Sequence, residues 1–139
     1  MLLNEVVVKR VERIEESLRR LEEIRKISSA VFLTDWKAQD AALHNLQIAI
    51  EGCLDIGNYI ISSIGKKSPN TYVEIVEILT EGNVLPVDFA ETAKNMAKFR
   101  NIVVHEYLNI NLEKVYSFIS KIDDIRKFLK YLIEYLEKR

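Results

Sequence analysis

Residues 35–65 read DWKAQDAALHNLQIAIEGCLDIGNYIISSIG, and this run decides the fold. Ala42, Leu46, Ala49, Ile50, Cys53, Ile56, Ile60 and Ile64 recur at the period of one helical face. The spacing predicts a helix from about Asp35 to Ile64, with Thr34 as N-cap and Asp35 favourable in the first turn. Gly65 falls where a left-handed residue ends a helix. Gly52 and Gly57 lie inside the run, where each costs about 1 kcal/mol relative to alanine. That cost points to a close approach of another helix or to a slight bend. Cys53 sits on the apolar stripe and reads as packing rather than as a reactive thiol.

Upstream, Leu3, Val7, Val11, Ile14, Leu18 and Leu21 mark a first helix from about Leu3 to Ile27. Its other face is densely charged with both signs, including pairs such as Glu15–Arg19 and Glu16–Arg20. It reads as a solvated face, with a basic arm for RNA as the functional alternative. Residues 28–35 break the pattern. Downstream, Ser68-Pro69-Asn70 signals a turn, and a short helix follows from about Thr71 to Thr80 until Glu81-Gly82-Asn83 stops it. Pro86 and Asp88 open a fourth helix that ends near Leu108, with Asp88 as its cap. Asn111 caps a last helix from about Leu112 to Lys138. The sum is an all-α antiparallel bundle of four long helices plus one short one, a single domain over 1–139.

Composition narrows the function. Of 139 residues, 48% are hydrophobic and 29% charged, a globular balance. A net charge of −1 leaves no general basic face for sequence-independent binding to long nucleic acid, though a local basic cleft stays open. One cysteine cannot form an intrachain disulfide, which fits a reducing, cytoplasmic setting. Early charges such as Glu5 argue against a signal peptide, and no apolar run approaches the roughly 20 residues of a membrane span.

The chemistry concentrates in the fourth helix, in Lys98-Phe99-Arg100-Asn101-Ile102-Val103-Val104-His105-Glu106-Tyr107. Polar residues inside an otherwise apolar segment call for a reason. Asn101 and His105 lie about 40° apart on a helix, and Arg100 and Tyr107 about 20°. Arg100 and His105 are about 140° apart and do not converge on one small group along a straight helix. Either the helix bends or ends near His105, or a second copy supplies the missing partner across a two-fold axis. Histidine moves protons near neutral pH, and arginine matches phosphate oxygens bidentately. Together they suit metal-independent cleavage of RNA, with His105 as base or acid and Arg100 stabilising the charged phosphorane. Asn101 would orient His105 or donate to an oxyanion. Glu51, Asp55 and Asn58 follow an i, i+4, i+7 row on the second helix, so both carboxylates share one face. They read as a support that orients Arg100, or as an ordinary wet face. His44 has no cysteine or second histidine nearby and reads as structural or exposed. The competing reading of the whole motif is a polar network that fixes bundle register.

The segment from Arg100 to Tyr107 matches Arg-x4-His-x-Tyr with asparagine after the arginine. With Leu43-His44-Asn45-Leu46-Gln47-Ile48-Ala49-Ile50-Glu51 and Asp55-Ile56-Gly57-Asn58, the chain resembles the HepT-like toxins of the HEPN superfamily over nearly its whole length. The resemblance implies a cytoplasmic endoribonuclease toxin of a type VII-like toxin–antitoxin pair. It implies a two-fold homodimer whose motifs meet in a cleft, and catalytic roles for Arg100 and His105 with Asn101 in support. It further implies an MntA-like nucleotidyltransferase antitoxin that silences the toxin by AMPylation of Tyr107. Added charge and bulk beside Arg100 and His105 would repel an RNA phosphate. No cofactor or metal is expected. A different class stays open: a non-catalytic helical module that binds a substrate or nucleotide and docks a nucleotidyltransferase.

Overall fold

The computed structural model describes residues 2–139, and the side chain of Tyr107 lies outside the described part. Seven α-helices follow one another among the described residues: α1 Glu5–Arg25, α2 Ser29–Phe32, α3 Trp36–Ser63, α4 Tyr72–Glu81, α5 Ala90–His105, α6 Leu112–Ile119 and α7 Ile122–Glu137. Short 3-10 turns at Val87–Phe89 and Tyr107–Asn109 flank α5. No described helix is long and apolar enough to cross a membrane.

The axis of the bundle is α3, whose Ala42, Leu46, Ala49, Cys53, Ile56 and Ile60 have no exposed surface. It packs against α1, α4, α5, α6 and α7. The two internal glycines account for two of these contacts. A Cβ on Gly52 would stand 2.4 Å from Ile14 Cγ1 of α1, and one on Gly57 would stand 2.8 Å from Leu79 Cδ1 of α4. Both distances are shorter than atoms tolerate, so glycine lets the neighbouring helices close on α3. At the C-terminus Gly65 has φ +73°, and the Gly65 and Lys66 amides donate to the Ser62 and Ile61 carbonyls. This is the expected left-handed helix stop.

The expected bundle is present, with differences at its joints. The four long helices are α1, α3, α5 and α7, and three short helices stand where one was expected. Within residues 28–35, Ser29–Phe32 wind into α2 because the Ser28 side chain accepts from the Val31 amide and Phe32 is fully buried against Tyr116, ring centroids 5.2 Å apart. The cap of α3 is Asp35, which accepts from the Lys37 and Ala38 amides, while Thr34 donates to the Val31 carbonyl. Asp88 caps nothing: the 3-10 turn occupies its place and α5 starts with no side-chain cap. The expected last helix splits at Ser120–Lys121 into α6 and α7. Asp123 and Asp124 in the first turn of α7 favour a helix start at that point. Asn111 caps α6 as expected, accepting from the Glu113 and Lys114 amides.

Candidate functional site

Helix α5 buries Ala93, Met96, Ala97, Phe99 and Val103. Arg100 lies on the same stripe, three and four residues from Ala97 and Met96. A charged residue in a core register needs a partner, and α3 supplies it. Arg100 Nε donates to Glu51 Oε1 at 2.6 Å, with the two side chains only 16% and 23% exposed. Gln47, one turn earlier on α3, donates to the same Glu51 oxygen at 3.2 Å. Arg100 Nη1 donates to Asn101 Oδ1 at 3.2 Å. The guanidinium carbon stands 4.5 Å from the ring centroid of Tyr72, the first residue of α4. Arg100 is thus held on three sides.

His105 is the last residue of α5 and is exposed. The ladder stops there, with the Glu106 amide returning to the Ile102 carbonyl and a 3-10 turn beginning at Tyr107. The helix ends at His105, but His105 still belongs to α5, so the end of the helix leaves its angular separation from Arg100 in place. Asn101 bonds to Arg100, and no hydrogen bond to His105 is recorded among the described residues. The role of Tyr107 rests on a side chain outside the described part.

Asp55 makes no hydrogen bond to Arg100. It lines a surface hollow of about 270 Å³ with Asn58, Pro69, Asn70, Thr71, Tyr72 and Ile75. Shelter from solvent raises its carboxyl above the usual range, partly offset by the charge of Arg10. Of the two expected supporting carboxylates, Glu51 touches the arginine and Asp55 acts on it only through space. His44 is exposed and lines a separate hollow with Asp40, Leu43, Gln47, Val103 and Val104. Burial pushes the Cys53 thiol far up, which suits packing and not nucleophilic chemistry. Among the described residues no group of three or more His, Cys, Asp or Glu is placed to hold a metal ion.

Two contacts escaped the sequence reading, Gln47 and Tyr72. Gln47 carried a signal, because it stands one turn before Glu51 on the same face. Tyr72 carried none, since only the packing of α4 on α5 brings it to Arg100.

The chain has counterparts among known proteins. The family described as Ribonuclease HepT-like matches residues 14–132. An mRNA nuclease HepT from Shewanella oneidensis is 26% identical over 128 residues, covering 91% of this chain and 96% of that relative. A tRNA nuclease HepT from Aphanizomenon flos-aquae is also 26% identical, over 83% of this chain and 78% of that one. Among solved structures, a tri-AMPylated Shewanella oneidensis HEPN toxin in complex with MNT antitoxin superposes with a TM-score of 0.85 at 25% identity, over 95% of this chain and 99% of that chain. The fold and a family match over most of the length agree, and the chain belongs to the Ribonuclease HepT-like family.

Proposed function

We propose that this protein is a cytoplasmic endoribonuclease, the toxin of a type VII-like toxin–antitoxin pair, acting as a homodimer with a composite site at its interface. The observation that carries the reading is the state of the two motif side chains. Arg100 is pinned by Glu51 at 2.6 Å, whereas His105 stands exposed at the end of the same helix. A guanidinium with fixed orientation is preorganised to meet developing negative charge. An exposed imidazole exchanges protons with whatever docks beside it.

The step follows from these roles. The ribose 2′-oxygen attacks phosphorus as His105 takes its proton, and Arg100 balances the charge on the phosphorane. The 5′-oxygen leaves with a proton from an imidazolium. The products are a 2′,3′-cyclic phosphate and a 5′-hydroxyl end, and no metal is required. Arg100 and His105 lie about 140° apart around α5, so the acid–base partner of each arginine comes from the other protomer. The antitoxin is an MntA-like nucleotidyltransferase that silences the site by AMPylation. The Tyr107 oxygen attacks the α-phosphorus of ATP, pyrophosphate leaves, and the phenolic proton passes to solvent. The new phosphate sets negative charge beside Arg100 and His105, where an RNA phosphate would otherwise sit. Support comes from the family match and from the HEPN toxin bound to its MNT antitoxin.

The test is cleavage of total RNA by purified protein in the presence of a chelator. His105→Ala should lose at least 100-fold in rate. Cleavage of an all-deoxy substrate, or undiminished cleavage by His105→Ala, refutes the mechanism.

A further inference from the structure

We propose that Tyr72 is a positioning residue of the site, fixing which edge of Arg100 is presented to a phosphate. The inference rests on the ribonuclease reading above for its substrate and on geometry for its core. A guanidinium has five N–H donors in one plane and two faces. Here Nε is committed to Glu51 at 2.6 Å, and one Nη1 hydrogen to Asn101 at 3.2 Å. One face lies against the Tyr72 ring, 4.5 Å from its centroid. A ring in that place attracts the cation and blocks rotation of the guanidinium about its long axis.

The commitments are selective. The side fork of the guanidinium, Nε with Nη2, is spoiled for a bidentate anion because Glu51 holds Nε. Among the described residues Nη2 has no acceptor, which leaves Nη2 and the second Nη1 hydrogen, the end fork, to donate to a phosphate. Tyr72 keeps that fork in a fixed plane. Its own placement is secured: it is the first residue of α4, directly after Thr71, whose side chain accepts from the Glu74 amide at 3.1 Å. The wall Tyr72 forms is anchored to α3 through the α4 contact at Gly57.

Two variants separate the ring from the hydroxyl. Tyr72→Phe keeps the ring and should cleave RNA at nearly the wild-type rate. Tyr72→Leu keeps the apolar contact and loses the π face, and should lower kcat about ten-fold with little change in KM. A Leu variant as fast as wild type, or a Phe variant as slow as Leu, overturns the proposal. A second readout does not depend on activity. In the full-length protein the Arg100 side-chain N–H resonances, assigned by comparison with Arg100→Lys, should be shifted by the Tyr72 ring current. That shift should persist in Tyr72→Phe and vanish in Tyr72→Leu, while backbone spectra report that both variants fold. Unshifted Arg100 resonances in the wild type overturn the placement outright. If the shift behaves as expected and wild type cleaves no RNA, the ribonuclease reading fails while the placement of Arg100 by Tyr72 stands.

Discussion

Arg100 shows why residue type matters more than charge at this site. It meets a carboxylate, an amide and an aromatic face at once, which a lysine cannot do. Arg100→Lys should therefore lose RNA cleavage nearly as fully as Arg100→Ala, by roughly 100- to 1,000-fold, in a single-turnover assay. The glycines make an independent residue-scale prediction. Alanine at an open helical position would stabilise by about 1 kcal/mol relative to glycine. At Gly52 the new methyl meets Ile14 at 2.4 Å, so overpacking should dominate and Gly52→Ala should destabilise by about 1–3 kcal/mol. A urea midpoint that rises in this variant would contradict the close α1–α3 approach. Gly65→Ala meets open space, yet its φ of +73° should still cost about 1–2 kcal/mol.

At the scale of elements, the joints are where structure departs from periodicity. Helix α1 ends against α7 through a cluster of charges. Arg25 pairs with Glu22 at 2.8 Å and Asp123 at 3.2 Å, and Arg126 pairs with Asp123 at 2.7 Å and Glu22 at 3.2 Å. Hydrogen bonds from Arg25, and then from Arg126, hold the Glu22 and Asp123 carboxyls below their ordinary range. The unfolded chain binds more protons than the native one across that window, so stability rises with pH there. The contribution is complete at neutral pH. It disappears as pH falls from the ordinary carboxylate range, roughly 4, through the lowered native values. Thermal midpoints of wild type and Arg25→Gln should differ near neutrality and converge in acid. The cluster lies at the surface, half-buried at Glu22, Arg25 and Arg126 and exposed at Asp123, so the gap should be small and should shrink with salt. A gap that widens in acid would reverse the assignment.

At the scale of the molecule, the composite site proposed above makes a distinctive prediction. Arg100→Ala and His105→Ala should each be inactive alone. Mixed in one refolded population, half of the dimers pair one variant with the other. If each site takes arginine from one protomer and histidine from its partner, every mixed dimer keeps one intact site, and about a quarter of wild-type activity should return. A site contained within one protomer would restore nothing. Intact mass after incubation with the nucleotidyltransferase and ATP completes the test of regulation: added AMP units should appear in the wild type and be absent from Tyr107→Phe.

Much of this was legible in the chain. The four long helices follow from apolar spacing, because a 3.6-residue period with few glycines and prolines has one stable reading. Gly65, Asn111 and the Glu51 pairing with Arg100 were also readable, each being a local rule or a shared helical face. The joints were not. Thr34 and Asp35 compete for one cap, and only the final backbone turn decides between them. The stripe through Val115, Phe118, Ile122 and Ile125 runs on across the α6–α7 break, so periodicity could not reveal it. The sequence by itself determined that this is a helical bundle with an arginine on a core face and a histidine five residues on. Tertiary structure decided that α5 stops at His105 and that Tyr72, distant in the chain, lies beneath Arg100. The physical reason is range: periodicity and capping act within a few turns of one helix, whereas which rings and carboxylates meet a buried cation depends on how separate helices pack.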